Sequence, residues 1–568
     1  MTISHRSLHE TKITAAFDRT LPSSELAAGA ASFRLALSSV LAAAPFVSAL
    51  WPLPRNLDEG TAALRLSPNI DISVFSIANP PQDLYDAITR TRAHLLTDNL
   101  GRLVVERGAS DVSSFETAAY LSSLTLSLES GSEVLSITAE AQKPLEQRDE
   151  AYTLTVPSNG SAALITANST LGLLRGLTTF EQLWYEYDGT IYAVNTPLSI
   201  EDAPAYPYRG FMLDSARNYF PVSDILRTLD TMSLVKINEF NWHISDSESF
   251  PLQIPGYEEL SEYGAYSPQM IYSQGDIEYI VSYAGERGID VLVEIDTPGH
   301  TAVIAESHPD FLPAGQLRLA DAMVANWTAG LFAEVAKMFP SSMINTGGDE
   351  VQATCYDNDE ETQRDLKATG RTLDEALADF VHGTHGALFN AGKTPVVWEE
   401  MVLDFNLSMS NDTLVLVWIS SDDVKAVVDQ GFRVIHAASN YFYLDCGAGE
   451  WIGDDPTGNS WCDPFKTWQY AYRFDPLANL TSDQYSQIMG GEQLIWTEQT
   501  GPSNLDPIVW PRAAASAEVF WSGAGGNGTA ALPRLHDVAF RMVQRGVRAI
   551  PLQPLWCALR PDECDLKW

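Results

Sequence analysis

From about residue 209 onward, apolar runs of strand length alternate with stretches whose apolar residues recur at helical spacing. The runs are GFMLDSA (210–216), NEFNWHIS (238–245), DVLVEID (290–296), SMINTGG (342–348), PVVWEE (395–400), LVLVWIS (414–420), RVIHAAS (433–439) and QIMGGEQLIW (487–496). Helical periodicity fills the gaps at 222–235, 276–287, 322–338, 372–391 and 421–430. Eight such units in succession predict a (β/α)8 TIM barrel with insertions over 204–568. An open doubly wound sheet is the alternative, but neither a G-x-G-x-x-G nor a Walker lysine motif supports it.

Residues 50–203 have a different texture. DISVFSI, LTLSL, VLSITAE, YTLTV and AALITA read as strands, with helical patterns near 83–100 and 171–185 and no regular alternation between the two. That predicts a smaller α+β domain ahead of the barrel. The proline-bearing EDAPAYPYRG (201–210) reads as the linker.

Composition narrows the partners. The chain of 568 residues exceeds one compact core, and 45% hydrophobic with 19% charged residues is an ordinary globular balance. Asp and Glu number 74 against 35 Lys and Arg, a formal charge of -39. Such a surface repels phosphate backbones and anionic lipid, which argues against nucleic acid and membrane partners. In RLALSSVLAAAPFVSALWPLPR, Arg34 precedes an apolar stretch and Val47-Ser48-Ala49 offers small residues for cleavage. Residues 34–49 thus read as a secretory signal peptide, and 1–33 as a disordered leader or start-site artefact. Sequons at Asn159, Asn168, Asn326, Asn406, Asn411, Asn479 and Asn527 point the same way, to a secreted glycoprotein. Among five cysteines none forms C-x-x-C, so a zinc site is not expected. Cys446 with Cys462, and Cys557 with Cys564, could close short loops, leaving Cys355 over.

In a barrel, chemistry sits at the carboxyl ends of the strands. Here those ends carry Asp214 and Arg217, His243 and Asp246, Asp296 and His300, Asp349 and Glu350, Trp398, Trp418, Tyr443 and Asp445, and Trp496 and Glu498. Acids bordered by indoles describe a sugar site: the apolar face of a pyranose stacks on Trp, and its hydroxyls bond to carboxylates and Arg. The clearest acid pair, in INTGGDEV (344–351), is adjacent. Neighbouring side chains at a strand end diverge, so they are poorly placed to attack one carbon from opposite faces.

The chain resembles glycoside hydrolase family 20, the β-N-acetylhexosaminidases, and looks closest to secreted fungal members. The resemblance rests on YRGFMLDSARNYFPVSDIL, KINEFNWHISDSESFPLQI, VEIDTPGHT, NTGGDEV, VVWEEM, NYFYLD, GGEQLIWTE and VWPRAAASAEVFWS, in family order over roughly 205–560. It implies exo-acting, retaining, substrate-assisted hydrolysis, in which the 2-acetamido oxygen attacks the anomeric carbon and forms an oxazolinium. Glu350 matches the general acid and Asp349 the acid that orients the acetamide. Arg209 matches the arginine on the ring hydroxyls, and Glu498 and Asp445 the acids for the far hydroxyls. Trp398 and Trp418 match the walls of the acetamide pocket, Trp496 the platform under the ring, and Tyr443 the hydroxyl on the acetamide carbonyl. Asp296 and His300 match a pair behind the acid. No metal or cofactor is implied, and a homodimer is implied by the resemblance alone. A cysteine upstream that would pair with Cys355 in fungal relatives is missing from 300–345. Two other classes stay open on the residues themselves. One is a metal-dependent amidohydrolase using His243, Asp246, Asp296, His300 and Asp349, although no H-x-H follows the first strand. The other is a lectin-like binder, which would have no need of a proton donor.

Overall fold

The computed structural model describes residues 49–312 and 314–564. The expected leader, and the expected signal segment apart from Ala49, lie outside the described residues. The described residues form one compact unit.

The amino-terminal part is a mixed sheet of β1 (Asn56–Phe75), β2 (Tyr120–Leu128), β3 (Tyr152–Val156), β4 (Ala163–Ala167), β5 (Tyr185–Tyr187) and β6 (Thr190–Asp202). The order is β1-β2-β4-β3-β6-β5, and the long β1 also pairs with β6. Alternation in β3 and β4 buries Tyr152, Leu154, Val156, Ala163, Ile165 and Ala167 against the helix Thr170–Glu181, as a half-covered sheet requires. VLSITAE, expected as a strand, instead leads into the helix Ile137–Ala141. Ser136 caps it, accepting a hydrogen bond from the Ala139 N–H, and Asp83 accepts one from the Thr138 N–H. Local capping outweighs the β-branched residues there.

Eight parallel strands then close into a barrel: β7 (Tyr208–Asp214), β8 (Glu239–Ser245), β9 (Asp290–Ile295), β10 (Met343–Asn345), β11 (Thr394–Trp398), β12 (Leu414–Val417), β13 (Arg433–His436) and β14 (Ile488–Ile495), with β14 returning to β7. Each of the eight expected runs overlaps one of these strands, with β7 and β11 starting two and one residues earlier than expected. Helices cover the outside, so outward positions such as Phe240, Trp242 and Ile244 are buried as deeply as inward ones. The interior is partly polar. The Asn241 amide donates to Glu492, which also accepts from the Tyr208 hydroxyl.

The amino end of the barrel is closed by the segment before β3. Arg148 pairs with Glu239 and Asp290 at the feet of β8 and β9. Glu150 lies between Arg175 and Arg209. Disulfides join Cys446 to Cys462 and Cys557 to Cys564, the two pairs the spacing suggested. Cys355 is free and exposed.

Candidate active site

At the carboxyl end of β10 the chain passes through Gly347 (φ 71°) and Gly348 (φ 103°) to Asp349 and then Glu350 (φ 50°). A Cβ on Gly347 would stand 1.6 Å from Asp296 Oδ1. Glycine is therefore required both for its backbone angle and for the approach of Asp296. The turn sends the two acids into different surroundings. Asp349 is buried, whereas the Glu350 side chain is 54% exposed. Both face one atom, His300 Nε2, at 3.6 and 3.5 Å. They thus occupy the same wall of the site.

Each acid has its own support. Behind Asp349 lies Asp296, whose Oδ1 accepts the Gly348 N–H at 2.8 Å. Burial and the Asp349 charge push the Asp296 carboxyl well above the usual range. Glu350 is held below its ordinary range, chiefly by His300. His300 is itself raised well above the ordinary histidine value: burial opposes its charge, but Asp349, Asp246 and Glu350 outweigh it. Its Nδ1 lies 3.1 Å from Asp246 Oδ1. The Asp246 carboxyl is pulled down against burial by Arg217, at 2.8 Å, and by His243 and His300. Both shifts favour the imidazole as the holder of the proton in the Glu350–His300 pair.

Two expectations need correction. Asp296 does not hold His300; Asp246, from the end of β8, does, while Asp296 backs Asp349. Arg209 is not in the site. It stands near the amino end of β7, fully buried, with both Glu150 oxygens at 2.7 and 2.6 Å and the carbonyls of Lys236 and Tyr206 each at 2.9 Å. The arginine at the mouth is Arg217, just past the carboxyl end of β7. It reaches Asp246, Asp214 and Glu248, and its guanidinium lies over Trp496, 5.0 Å from the ring centroid. The direction of β7 separates the two, since only its carboxyl end faces the mouth.

The remaining expected residues gather beside these acids. Trp398, Trp418, Tyr443 and Trp496 form an aromatic recess. Trp418 lies parallel to Tyr443 at 6.4 Å, Tyr443 is 6.2 Å from Trp496, and Trp496 is 6.4 Å from Trp398. Burial raises the Tyr443 hydroxyl well above its ordinary value; a hydrogen bond with Trp496 opposes this, and the charges of Asp445, Asp349 and Glu400 add to it. Tyr441 instead stacks on Tyr470 at 4.7 Å, away from the recess. Asp445 accepts from the Trp496 N–H at 3.4 Å. Burial and Glu498 push its carboxyl up to about 7.

Sequence reasoning missed several groups. Glu294 accepts the Trp398 indole N–H at 3.0 Å. Glu400 accepts the Trp418 indole N–H at 2.9 Å and lies 3.4 Å from the Glu350 backbone nitrogen. The exposed Trp461 meets Trp418 and Tyr443 edge-on at 5.5 and 5.8 Å. The available signal was acids inside apolar strands: the glutamate of DVLVEID and the second glutamate of VVWEE. Asp296, His300 and Asp349 each bring one ligand-type atom within 4.8 Å of the others, as the amidohydrolase alternative would need.

Comparison with known proteins decides between the classes. Residues 206–524 match the family described as "Glycosyl hydrolase family 20, catalytic domain", and residues 50–183 match "beta-acetyl hexosaminidase like". The chain belongs to glycosyl hydrolase family 20. It is 33% identical over 460 residues to a β-hexosaminidase of Arthroderma benhamiae, covering 74% of each chain. With Beta-hexosaminidase 1 of Arabidopsis thaliana the match is 32% over 536 residues, 91% of this chain and 94% of that one. Among solved structures it is similar to the Flavobacterium johnsoniae chitobiase, with a TM-score of 0.70 and 25% identity over 88% of this chain and 73% of that one. This family 20 β-hexosaminidase thus carries the family's two matched regions on the mixed sheet and the barrel. Its acids and aromatic recess lie at the end of the barrel where such enzymes work.

Proposed function

We propose that the enzyme removes terminal, non-reducing N-acetylglucosamine or N-acetylgalactosamine residues from chitin oligosaccharides or glycans, with retention of configuration. The observation that carries this reading is that Asp349 and Glu350 converge on a single imidazole nitrogen beside a recess walled by four aromatic rings. A nucleophilic carboxylate would have to approach the sugar from the face opposite the acid. In this reading the second acid serves the N-acetyl group of the substrate and leaves the anomeric carbon to the acetamide oxygen. Glu350, half in solvent, protonates the glycosidic oxygen and later activates water, with His300 and Asp246 exchanging its proton. Asp349, backed by Asp296, accepts the acetamide N–H, turns the acetamide oxygen onto the anomeric carbon and offsets the charge of the oxazolinium. Tyr443 donates to the acetamide carbonyl. Arg217, Asp445 and Glu498 hold ring hydroxyls over Trp496 and close the pocket, which makes the action exo.

The same reading places the protein in the secretory pathway. In support, all seven sequon asparagines are exposed and four cysteines are oxidised.

The test is a pair of substitutions. Glu350→Gln should cut kcat on substrates with poor leaving groups by on the order of 10³-fold, and aryl glycosides with good leaving groups much less. Asp349→Asn should cripple every acetamido substrate, whatever the leaving group. If Asp349→Asn keeps those rates within a few-fold of wild type, the neighbouring acetamide is not the nucleophile.

A further inference from the structure

Behind His300 the polar chain runs deeper than a relay to Glu350 requires. Asp246 Oδ2 takes His243 Nε2 at 2.8 Å, and His243 Nδ1 lies 3.0 Å from Glu294 Oε1. The same Oε1 accepts the Trp398 indole N–H at 3.0 Å. His243, Glu294, Asp246 and Trp398 are all fully buried. One imidazole thus has both nitrogens on carboxyl oxygens inside the barrel, where apolar side chains of similar volume would cost far less desolvation. The groups around it come from every neighbouring strand. Asp246 follows β8, Glu294 lies on β9, and Asp214 stands opposite His243 in the β7–β8 register. Arg217 and His300 reach it through Asp246, and Glu498 feels the same Asp214, Asp246 and Arg217. The Trp496 ring lies edge-on to the imidazole at 4.9 Å. Burial opposes a charge on His243, but Glu294 and Asp246 outweigh it and push the imidazole up to about 10.

We infer that His243 and Glu294 are positioning residues for the general acid: the imidazolium caps Asp246 and so limits how firmly Asp246 holds the proton on His300, while Glu294 locks that imidazolium to the Trp398 wall of the recess. The inference rests on the reading of Glu350 as the acid. It makes one buried chain answer for both halves of the site, the proton donor at one end and the acetamide wall at the other.

The two substitutions that test it act with opposite signs. His243→Gln removes a cation near the His300–Glu350 pair, so the pair binds its proton more tightly. Glu294→Gln removes an anion, so the pair binds it less tightly, while His243 stays charged on Asp246. Because Glu294 Oε1 already accepts both of its bonds and Oε2 has no partner, the glutamine amide can replace the carboxyl without losing either contact. The readout is the basic limb of kcat/KM against pH on a β-N-acetylhexosaminide with a poor leaving group. The limb should move up in His243→Gln and down in Glu294→Gln, each by roughly half a pH unit, as expected for a unit charge in an effective dielectric between protein and water. A uniform loss at every pH with the limb unmoved, or a shift of the same sign in both variants, overturns the inference. If His243→Gln does not fold, Glu294→Gln alone decides by the direction of its shift. Spectra of the protein labelled with 15N-histidine test the chain without turnover. Two imidazolium signals, those of His243 and His300, should persist above pH 8, and only the one from His243 should vanish in His243→Gln; titration of His243 near its ordinary ~6.5 overturns the inference. Failure of the wild type to cleave any acetamido sugar would sink the functional reading instead, and the histidine spectra would still decide whether the charged chain exists.

Discussion

Arg209 and Arg217 stand at opposite ends of one short strand and do unrelated work. Arg217 pairs with Asp246 and covers Trp496, so it touches both the proton relay and the sugar platform. Arg217→Ala should leave Asp246 with its two histidines and lower kcat/KM by on the order of 100-fold, the cost of a charge-assisted contact strengthened in the transition state. Arg217→Lys should recover little of this, because an ammonium cannot both fork to a carboxylate and lie flat on an indole. Arg209→Ala should leave KM and kcat near wild type. It strands Glu150, which Arg209 and Arg175 hold down to about 2 against burial, and should cost about 3–5 kcal/mol in urea unfolding. If Arg209→Ala lost activity at unchanged stability, the assignment of the two arginines would be reversed.

At the scale of elements, the barrel was legible because its strands are buried on both faces and read as near-continuous apolar runs between amphipathic helices. The site was legible where a strand end meets an acid or an indole, and illegible where contact depends on which way a loop turns. His300 sits at φ 51°, and its Nδ1 is hydrogen-bonded to Asp246 of the neighbouring loop and not to Asp296, which is nearer in sequence. Spacing along the chain could not supply that. The helix Ile137–Ala141 was missed for the opposite reason: a five-residue helix held by a cap has too little periodicity to compete with a β-branched pattern. The loop after β10 offers the sharpest test of backbone geometry. Gly347→Ala adds a Cβ at φ 71° on top of the Asp296 carboxyl, and should lower stability by about 1–2 kcal/mol. It should also lower kcat by at least about tenfold, since Asp296 must move away from Asp349. Gly370→Ala is the matched control. Gly370 has the same φ of 71° at the end of the helix Glu360–Thr369, with nothing within 4 Å of its Cβ position. It should carry the backbone cost without the loss of rate.

The whole molecule sets the pH at which all this operates. Burial raises a group of carboxyls around the mouth and in the barrel: Asp445 and Glu400 to about 7, Glu399 and Glu492 to about 8. A carboxyl whose folded value lies above its unfolded one binds more protons in the native state, so stability falls as pH rises from the unfolded value near 4.5 through the folded one. The formal charge of -39 adds self-repulsion over the same range. Glu150 works in the other direction. Its folded value of about 2 gives stability above pH ~4.5 that is lost as pH falls toward 2. Asp246, depressed by Arg217 and the two histidines, behaves alike. The two sets cross in mild acid, where the relay also has its proton on His300 and the far-hydroxyl acids are least repelled by each other. Thermal unfolding followed from pH 3 to pH 9 should therefore give a maximum near pH 4–5 and a fall of at least ~5 °C between pH 5 and pH 8, given that about 1 kcal/mol moves the midpoint of a large domain by a few degrees. High salt should flatten the surface part of that fall and leave the part due to the buried carboxyls. A midpoint that stays level or rises to pH 8 would mean that these acids are ionised in the native protein, and that the mouth is wetter than its geometry implies.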